Sequence, residues 1–150
     1  MAAAFSPDVL TFLRQARVGH LATVDEQGRP SVVPVCFALE ANRLYSAVDA
    51  KPKRLPPERL HRLRNLAANP RAALVVDHWD EDWARLGWVL LRGEGKMVTL
   101  REERARALAL LRDKYAQYRA MDLETAPLIR ITVAEHQTWG DLGFPQFSGA

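Results

Sequence analysis

Apolar residues recur along this 150-residue chain with two alternating periods, one typical of helices and one of strands. Near the N-terminus the spacing is three to four residues, which predicts an amphipathic helix. The apolar stripe consists of Val9, Leu10, Phe12, Leu13 and Ala16. Ser6-Pro7-Asp8 precedes it, and these residues suit the N-cap, the first helical position and the positive end of a helix dipole. The sequence therefore predicts a helix ending near Arg17.

Three strands separated by turns are predicted next. They cover residues 18–24, 30–39 and 43–48, and the first turn carries Gly28, where a positive φ costs little. Pro34 lies inside the second strand and cannot donate a ladder hydrogen bond. At Pro34 the strand must therefore lie at a sheet edge, or its backbone must face something other than a strand, such as a ligand.

The second half of the chain continues with helices and strands. Residues 57–68 and 99–119 predict helices, the latter opened by a capping box at Thr99-Leu100-Arg101-Glu102, with Ala105, Leu108, Ala109, Leu111 and Tyr115 as its apolar face. Residues 71–77, 87–99 and 127–139 predict strands. The first of these is nearly all apolar, which predicts burial on both faces. Gly93 and Gly95 predict a bulge in the second.

A meander of three strands followed by a helix is not a βαβ winding, and it favours an antiparallel sheet or barrel. We therefore expect a mainly β fold with flanking helices. Residues 1–150 are expected to form one domain, because this length suits one hydrophobic core, with an irregular tail over 139–150.

Composition excludes several classes of protein. With 48% hydrophobic and 26% charged residues, the chain resembles ordinary soluble globular proteins. Cys36 is the single cysteine, so no disulfide forms within the chain, and this fits a reducing cytoplasm. No basic segment leads into a long apolar run, so we expect neither a signal peptide nor a membrane partner. No CxxC or HExxH motif predicts a metal site.

Positive charge is concentrated in one segment. Residues 43–71 carry +6, whereas the whole chain carries +3. The cations are Arg43, Lys51, Lys53, Arg54, Arg59, Arg62, Arg64 and Arg71. No aromatic residue alternates with them after Lys51, so a nucleic-acid surface is not favoured. On charge alone, the segment is either a solvated loop or a phosphate site that leads into a helix N-terminus.

Several short motifs, taken in order, resemble the pyridoxamine 5′-phosphate oxidase-like split β-barrel superfamily over roughly residues 10–139. They are Leu21-Ala22-Thr23-Val24-Asp25, Gly28-Arg29-Pro30, Val33-Pro34-Val35, Leu44-Tyr45, Lys51-Pro52-Lys53-Arg54, Arg64-Asn65-Leu66, Asn69-Pro70-Arg71 and Val75-Val76-Asp77. Within the superfamily, the basic segment and residues 77–83 are similar to small F420-dependent enzymes of actinobacterial type.

The resemblance implies a homodimer of six-stranded split β-barrels with a flavin or deazaflavin at the interface. The implied activity is hydride transfer between F420, or alternatively FMN, and a small organic substrate. In such enzymes the cofactor carries the chemistry, which would explain why no catalytic residue is identifiable from the sequence. The alternative is a non-catalytic protein that stores or carries a flavin, a deazaflavin or a haem-type ligand.

The resemblance also assigns site residues. The cofactor phosphate would contact Lys51, Lys53, Arg54, Arg62 and Asn65. The ring would lie along Val33, Pro34, Val35, Ser46, Ala47 and Val48. Trp79, Trp83 and Trp88 would lie nearby, contributed by a second subunit. Pro56 and Pro57 lengthen the segment before Arg62, so either Lys51 or Arg54 is a candidate for the phosphate contact.

Overall fold

The computed structural model describes residues 4–48 and 57–143, which form three helices, seven strands and two short 3₁₀ turns. The helices are α1 (Pro7–Gln15), α2 (Pro57–Ala68) and α3 (Arg101–Lys114). The strands are β1 (Gly19–Val24), β2 (Pro30–Val35), β3 (Ala38–Glu40), β4 (Arg43–Ala47), β5 (Arg71–His78), β6 (Gly87–Met97) and β7 (Leu128–Gly140). The 3₁₀ turns are Trp83–Arg85 and Ala116–Ala120.

The strands form one antiparallel sheet in the order β2-β1-β5-β6-β7-β4-β3. Its two edge strands follow each other along the chain, since β2 ends at Val35 and β3 begins at Ala38. Three residues reach at most about 11 Å. A flat sheet of seven strands would hold its edges about 29 Å apart. The sheet must therefore curl until its edges approach each other, which gives the expected split barrel.

The expected count of six strands is wrong, because the segment predicted as one strand over residues 30–39 forms β2 and β3. Phe37 interrupts it: its side chain is fully buried in the barrel, and its backbone N–H donates to Tyr115 Oη at 3.1 Å rather than to a strand. Pro34 lies on β2, which pairs only with β1 among the described strands. Of the two alternatives given for Pro34, the structure therefore shows the sheet edge, and a ligand against the backbone remains a prediction.

The predicted N-terminus of α1 is confirmed, since Ser6 Oγ accepts a hydrogen bond from the Val9 N–H at 3.3 Å. The capping box predicted for α3 is wrong. Leu100, not Thr99, is the N-cap, and no side chain caps the helix there. The helix also ends at Lys114, and the chain continues as a 3₁₀ turn.

Two hydrophobic cores hold the fold together. The first fills the barrel and includes Phe12 of α1 and Leu66 of α2. The second lies between α3 and the outer side of β3, β4 and β7, and includes Tyr45 and Leu111. Ala105 and Ala109, predicted on the apolar face of α3, are exposed. The burying face of α3 is instead formed by Glu103, Ala107, Leu108 and Leu111.

Strand β5 corrects another expectation. Leu74 and Val76 point into the barrel and are 1% and 0% exposed, but Ala73 and Val75 on the outer face are only half-buried. The apolar run of β5 therefore has one face that is buried in the barrel and one face that is partly exposed. In β6 the predicted bulge is confirmed, because the register with β7 shifts between Arg92 and Gly93. A Cβ at Gly93 would overlap the carbonyl oxygen of Thr132.

Strand β7 extends to Gly140, so residues 139 and 140, predicted to belong to the irregular tail, lie in a strand, and residues 144–150 of that tail lie outside the described residues. Trp139 pairs across the strands with Trp88 of β6. In the part of the chain that the structure describes, no helix combines the length and the hydropathy needed to cross a membrane.

Tyr115 joins three parts of the fold just after α3. Its Oη accepts from the Phe37 N–H and lies 3.2 Å from the Phe37 carbonyl and 3.1 Å from that of Arg17. The neighbouring Lys114 Nζ donates to the Leu13 carbonyl at 3.2 Å and lies 3.8 Å from the centroid of the Phe37 ring. The end of α1, the β2–β3 connection and the end of α3 are thereby tied together.

Candidate functional site

The predicted phosphate site has two parts, a basic loop and a helix. The loop residues Lys51, Lys53 and Arg54 lie outside the described residues. The helix is α2, and it carries the other two predicted phosphate ligands, Arg62 and Asn65, three residues apart. What the structure establishes about this part of the site therefore concerns α2 and the strands beneath it.

Arg62 and Asn65 are both buried, with 7% and 4% of their surface exposed. Asn65 faces β1, because its Nδ2 donates to Thr23 Oγ1 at 3.1 Å. Long cationic side chains are almost never fully buried unless they are paired, and buried polar groups cost free energy unless they are hydrogen-bonded. Arg62 and Asn65 are thus turned toward the barrel, whereas His61 and Arg64 of the same helix are exposed.

Several of the predicted cofactor residues are buried polar side chains. Among the described residues five polar or charged side chains are buried, namely Thr23, Ser46, Arg62, Asn65 and Glu103. Ser46, Arg62 and Asn65 are predicted cofactor residues, and Thr23 contacts one of them. The spacing on the predicted helix grouped Arg62 with Asn65, and the family resemblance added Ser46, but neither indicated that these side chains are buried.

The structure brings the predicted ring-lining strands together at one point. Ser46 Oγ on β4 donates to the carbonyl oxygen of Cys36, directly after β2, at 2.7 Å. Near this contact Val33 is half-buried and Pro34 is exposed. The outer edge of β2 pairs with no described strand, so its backbone groups are open to a ligand or a partner.

The remaining ring-lining candidates face the protein interior. Val35 and Val48 pack in the barrel core, and Ala47 packs in the second core under α3. The side chains of these three residues are therefore engaged within the subunit. Along this stretch, contact with a bound ring would fall to the backbone and to Val33 and Pro34.

A groove of about 260 Å³ separates α2 from the turn between β1 and β2. Asp25 lies on the turn side, and the backbone N–H of Arg29 holds its pKa below the ordinary value, assisted by the Arg29 side chain and outweighing the opposing effect of burial. Because Arg29 Nε lies 2.7 Å from Asp25 Oδ2, this pair is internally neutralised. The groove's other basic side chains are His61 and Arg64 of α2.

The outer face of the sheet carries a cavity that the sequence analysis did not predict. It has a volume of about 540 Å³, within the range of small-molecule sites. Its floor includes Ala22, Ala73 and Ala134, and Arg71 and Arg92 lie in its wall. The cavity was missed because β5 was expected to be buried on both faces. Alternation of inner and outer positions along the strand would have placed Ala73 on the outer face.

A second open cavity, of about 510 Å³, lies on the same outer face between His20, Val75, Trp88 and Leu90. Beyond it the surface is aromatic. Trp79, Trp83 and Trp139 are 62%, 70% and 51% exposed. Such side chains mark a contact surface where they form a contiguous apolar patch. No group of three or more His, Cys, Asp or Glu side chains within residues 4–48 and 57–143 is arranged to hold a metal ion.

A family model described as pyridoxamine 5′-phosphate oxidase matches residues 5–140. Over 73 residues the chain is 36% identical to 5a,11a-dehydrotetracycline/5a,11a-dehydrooxytetracycline reductase of Streptomyces rimosus, a match that covers 49% of this chain. The matched stretch spans only about half of that relative, 49% of its length.

Two solved structures share the fold at low sequence identity. The haem storage protein of Vibrio cholerae is 17% identical with a TM-score of 0.65, over 92% of this chain and 95% of that one. An FAD-binding protein of Mesorhizobium loti is 23% identical with a TM-score of 0.63, over 89% and 94%. These likenesses establish the split-barrel architecture, and the family match spans most of the sequence. The chain belongs to the pyridoxamine 5′-phosphate oxidase family.

Proposed function

We propose that this protein is an oxidoreductase that transfers a hydride between F420, or alternatively FMN, and a small organic substrate. The reductase from Streptomyces rimosus, at 36% identity over half of the chain, supports a reductive activity. The preference for F420 rests on the similarity of the basic segment and of residues 77–83 to F420-dependent enzymes. Either cofactor would supply the hydride chemistry when bound, and the protein would bind it, orient it and exclude water.

The observation that carries the proposal is that three of the predicted cofactor residues, Ser46, Arg62 and Asn65, are among the five polar or charged side chains buried within the described residues. Such groups lower stability unless they have partners or a function. Arg62 and Asn65 offer guanidinium and amide N–H donors, which are suited to phosphate oxygens. The described residues thus fit a phosphate-bearing cofactor, with Lys51, Lys53 and Arg54 as the proposed loop contribution and β2 and β4 as the proposed support for the ring.

We further propose that the cofactor lies at the interface of a homodimer. The outer face of the sheet presents His20, Val75 and Leu90 beside two open cavities, and Trp139 is half-exposed next to it. Contiguous apolar surface of this kind is rare on monomers unless it binds something. A second copy would cover this face and turn the 540 Å³ cavity into an enclosed space for the substrate.

Titration of the purified protein with F420, FMN and haemin, followed by fluorescence and absorbance, tests the proposal. We expect F420 or FMN to bind with a dissociation constant below about 100 μM, since a phosphate held by several charge-assisted contacts supplies several kcal/mol. Absence of binding by both would overturn the cofactor assignment. Reduced cofactor should then be reoxidised by a panel of enones and quinones. Tight binding without any turnover would favour the storage or carrier function instead.

Light scattering coupled to size-exclusion chromatography tests the dimer. The expected mass is twice the 16.9 kDa of the chain. Val75→Glu, which places a charge on the proposed interface, should yield a monomer, whereas Arg14→Glu on the exposed side of α1 should not. A wild-type monomer that binds the cofactor with full affinity would refute the interface location and leave the activity standing.

A further inference from the structure

Glu103 is a buried charged side chain that neither belongs to the proposed cofactor site nor is shown to contact its residues. It lies in the first turn of α3 and faces the sheet. Arg130 NH1 donates to Glu103 Oε1 and Oε2 at 2.7 and 2.9 Å, and Tyr45 Oη donates to Oε2 at 2.8 Å. Arg43 NH1 donates to the same Oε2 at 3.3 Å. One carboxylate therefore holds two guanidinium groups side by side.

These two arginines open onto a cavity of about 460 Å³ between α3 and the sheet. Beside Glu103, its wall is formed by Arg43, Leu100, Arg101, Glu102, Arg106 and Arg130. Four arginines thus meet two glutamates, which leaves the lining with a net charge of +2. Arg106 pairs loosely outside the wall, with its Nε 3.6 Å from Glu40 Oε1.

Much of the donor capacity in this cavity is unused by the described residues. A guanidinium carries five N–H groups. Arg43 and Arg130 each use only NH1 in their bonds to Glu103. The side chain of Arg101 makes no hydrogen bond or ion pair with any residue in the described ranges. Guanidinium groups with free N–H donors form bidentate hydrogen bonds with carboxylate and phosphate oxygens.

We propose that this arginine cavity binds a small organic anion that carries at least two negative charges on carboxylate or phosphate groups next to an apolar part. The charge follows from the net +2 of the lining and from the unused donors of Arg43, Arg101 and Arg130. The apolar part follows from Leu100, which is 70% exposed at the cavity wall. The volume exceeds that needed for a bare inorganic anion and lies within the range of small-molecule sites.

The arginine cavity is distinct from the proposed cofactor site. Arg43 begins β4, while Ser46, Ala47 and Val48, which were assigned to the cofactor, follow at the other end of the strand. Five residues of extended chain separate Arg43 from Val48 by roughly 17 Å. Evidence for or against one of the two sites is therefore not evidence for or against the other.

Isothermal titration calorimetry at low ionic strength, with phthalate and phenyl phosphate as probes, tests the proposal. Both probes join a benzene ring to a double negative charge, and benzyl alcohol serves as the neutral control. We expect at least one probe to bind with a dissociation constant below about 1 mM, and benzyl alcohol not to bind. Binding of phthalate alone would show that the cavity accepts carboxylates. Binding of phenyl phosphate alone would show that it accepts phosphates, and binding of both would show that it accepts either group.

Arg101→Ala distinguishes this cavity from other positive regions. Arg101 is exposed and engages no described neighbour, so the variant should fold normally. Binding should weaken about 10-fold, since a charge-assisted contact is lost. Arg14→Ala removes an equal charge from α1 and should change the affinity less than twofold. No binding of either probe at 10 mM, or equal weakening by both substitutions, would overturn the proposal.

Discussion

Asn65 on α2 donates a 3.1 Å hydrogen bond from Nδ2 to Thr23 Oγ1 on β1, and both side chains are buried. The bond fixes the helix that follows the basic loop against the strand that neighbours β2. Replacing one partner leaves the other buried without this bond, which typically costs about 1–3 kcal/mol. The orientation of α2 over the barrel thus depends on a polar contact as well as on Leu66.

Asn65→Leu is therefore expected to lower the free energy of unfolding of the cofactor-free protein by about 1–3 kcal/mol. Thr23→Val should have a similar effect, and the double variant should lose less than the sum of the two, because the two side chains serve one bond. Urea denaturation followed by tryptophan fluorescence measures all three. Strict additivity would show that the two residues act separately.

In the proposed site, Arg62 would contribute both to the stability of the fold and to binding of the phosphate. Arg62→Ala should weaken F420 or FMN binding by about 1–3 kcal/mol, because a charge-assisted contact to phosphate is lost. On sequence grounds alone, the stability of the cofactor-free protein would stay unchanged. Since Arg62 is only 7% exposed, its removal should instead also lower the melting temperature.

Fluorescence titration and thermal unfolding of the same Arg62→Ala preparation measure the two effects. Arg14→Ala, an exposed change on α1, should alter neither quantity. Loss of stability with unchanged cofactor affinity would show that Arg62 is structural and does not bind the phosphate. The phosphate contacts would then have to come from Lys51, Lys53 and Arg54.

Features encoded by local chemistry could be predicted from the sequence. Ser6 caps α1 because its hydroxyl reaches the Val9 N–H, and Gly93 marks the bulge because no Cβ fits against Thr132. The grouping of Arg62 with Asn65 followed from their spacing on a helix. Pairing of the two residues with particular partners was not predictable, because it depends on how β1 packs under α2.

Features set by long-range packing were mispredicted. Strand 30–39 breaks because the Phe37 side chain fills the barrel and its backbone bonds to Tyr115, 78 residues later. Likewise, the predicted apolar face of α3 did not include Glu103. Its burial depends on Arg130 and Tyr45, which lie on two other elements. No local pattern reports such a contact.

Glu103 should make stability depend on acid pH. Burial alone would raise the pKa of its carboxyl, but the hydrogen bonds from Arg130 and Tyr45 and the charges of Arg130 and Arg43 hold the pKa below the ordinary 4.5. A carboxyl with a lowered folded-state pKa stabilises the protein above its unfolded pKa. This contribution is lost as the pH falls through the folded value.

Glu103→Gln should therefore be less stable than wild type near pH 7, by about 1–3 kcal/mol, because hydrogen bonds to a charged acceptor are weakened. Between pH 5 and 3 its stability should fall less steeply than that of wild type. Glu102→Gln, an exposed change in the same helical turn, should keep the wild-type pH profile. Parallel acid profiles for Glu103→Gln and wild type would refute the role assigned to the carboxylate.

Lys114 should make stability depend on alkaline pH in the opposite way. Burial, and next the charge of Arg17, lowers the pKa of its amine to about 7 from 10.5. Between these values the unfolded chain binds a proton that the folded protein does not, so the free energy of unfolding rises with pH. Burial likewise raises the pKa of Tyr115 to about 12, which reverses the trend above pH 10. Urea unfolding is therefore best compared between pH 7 and 9.5.

Lys114→Met keeps the unbranched side chain over Phe37 and removes the titrating amine. We expect the stability of wild type to rise relative to that of Lys114→Met as the pH goes from 7 to 9.5. In wild type, the unfavourable burial of a charged amine disappears as Lys114 loses its proton, and Lys114→Met has no such amine. Other groups that titrate in this range do so in both proteins, so their effects cancel when the two free energies of unfolding are subtracted. Lys96→Met, at an exposed position on β6, should follow wild type throughout. A constant difference between wild type and Lys114→Met would mean that Lys114 remains protonated in the folded protein, held by the Leu13 carbonyl and the Phe37 ring.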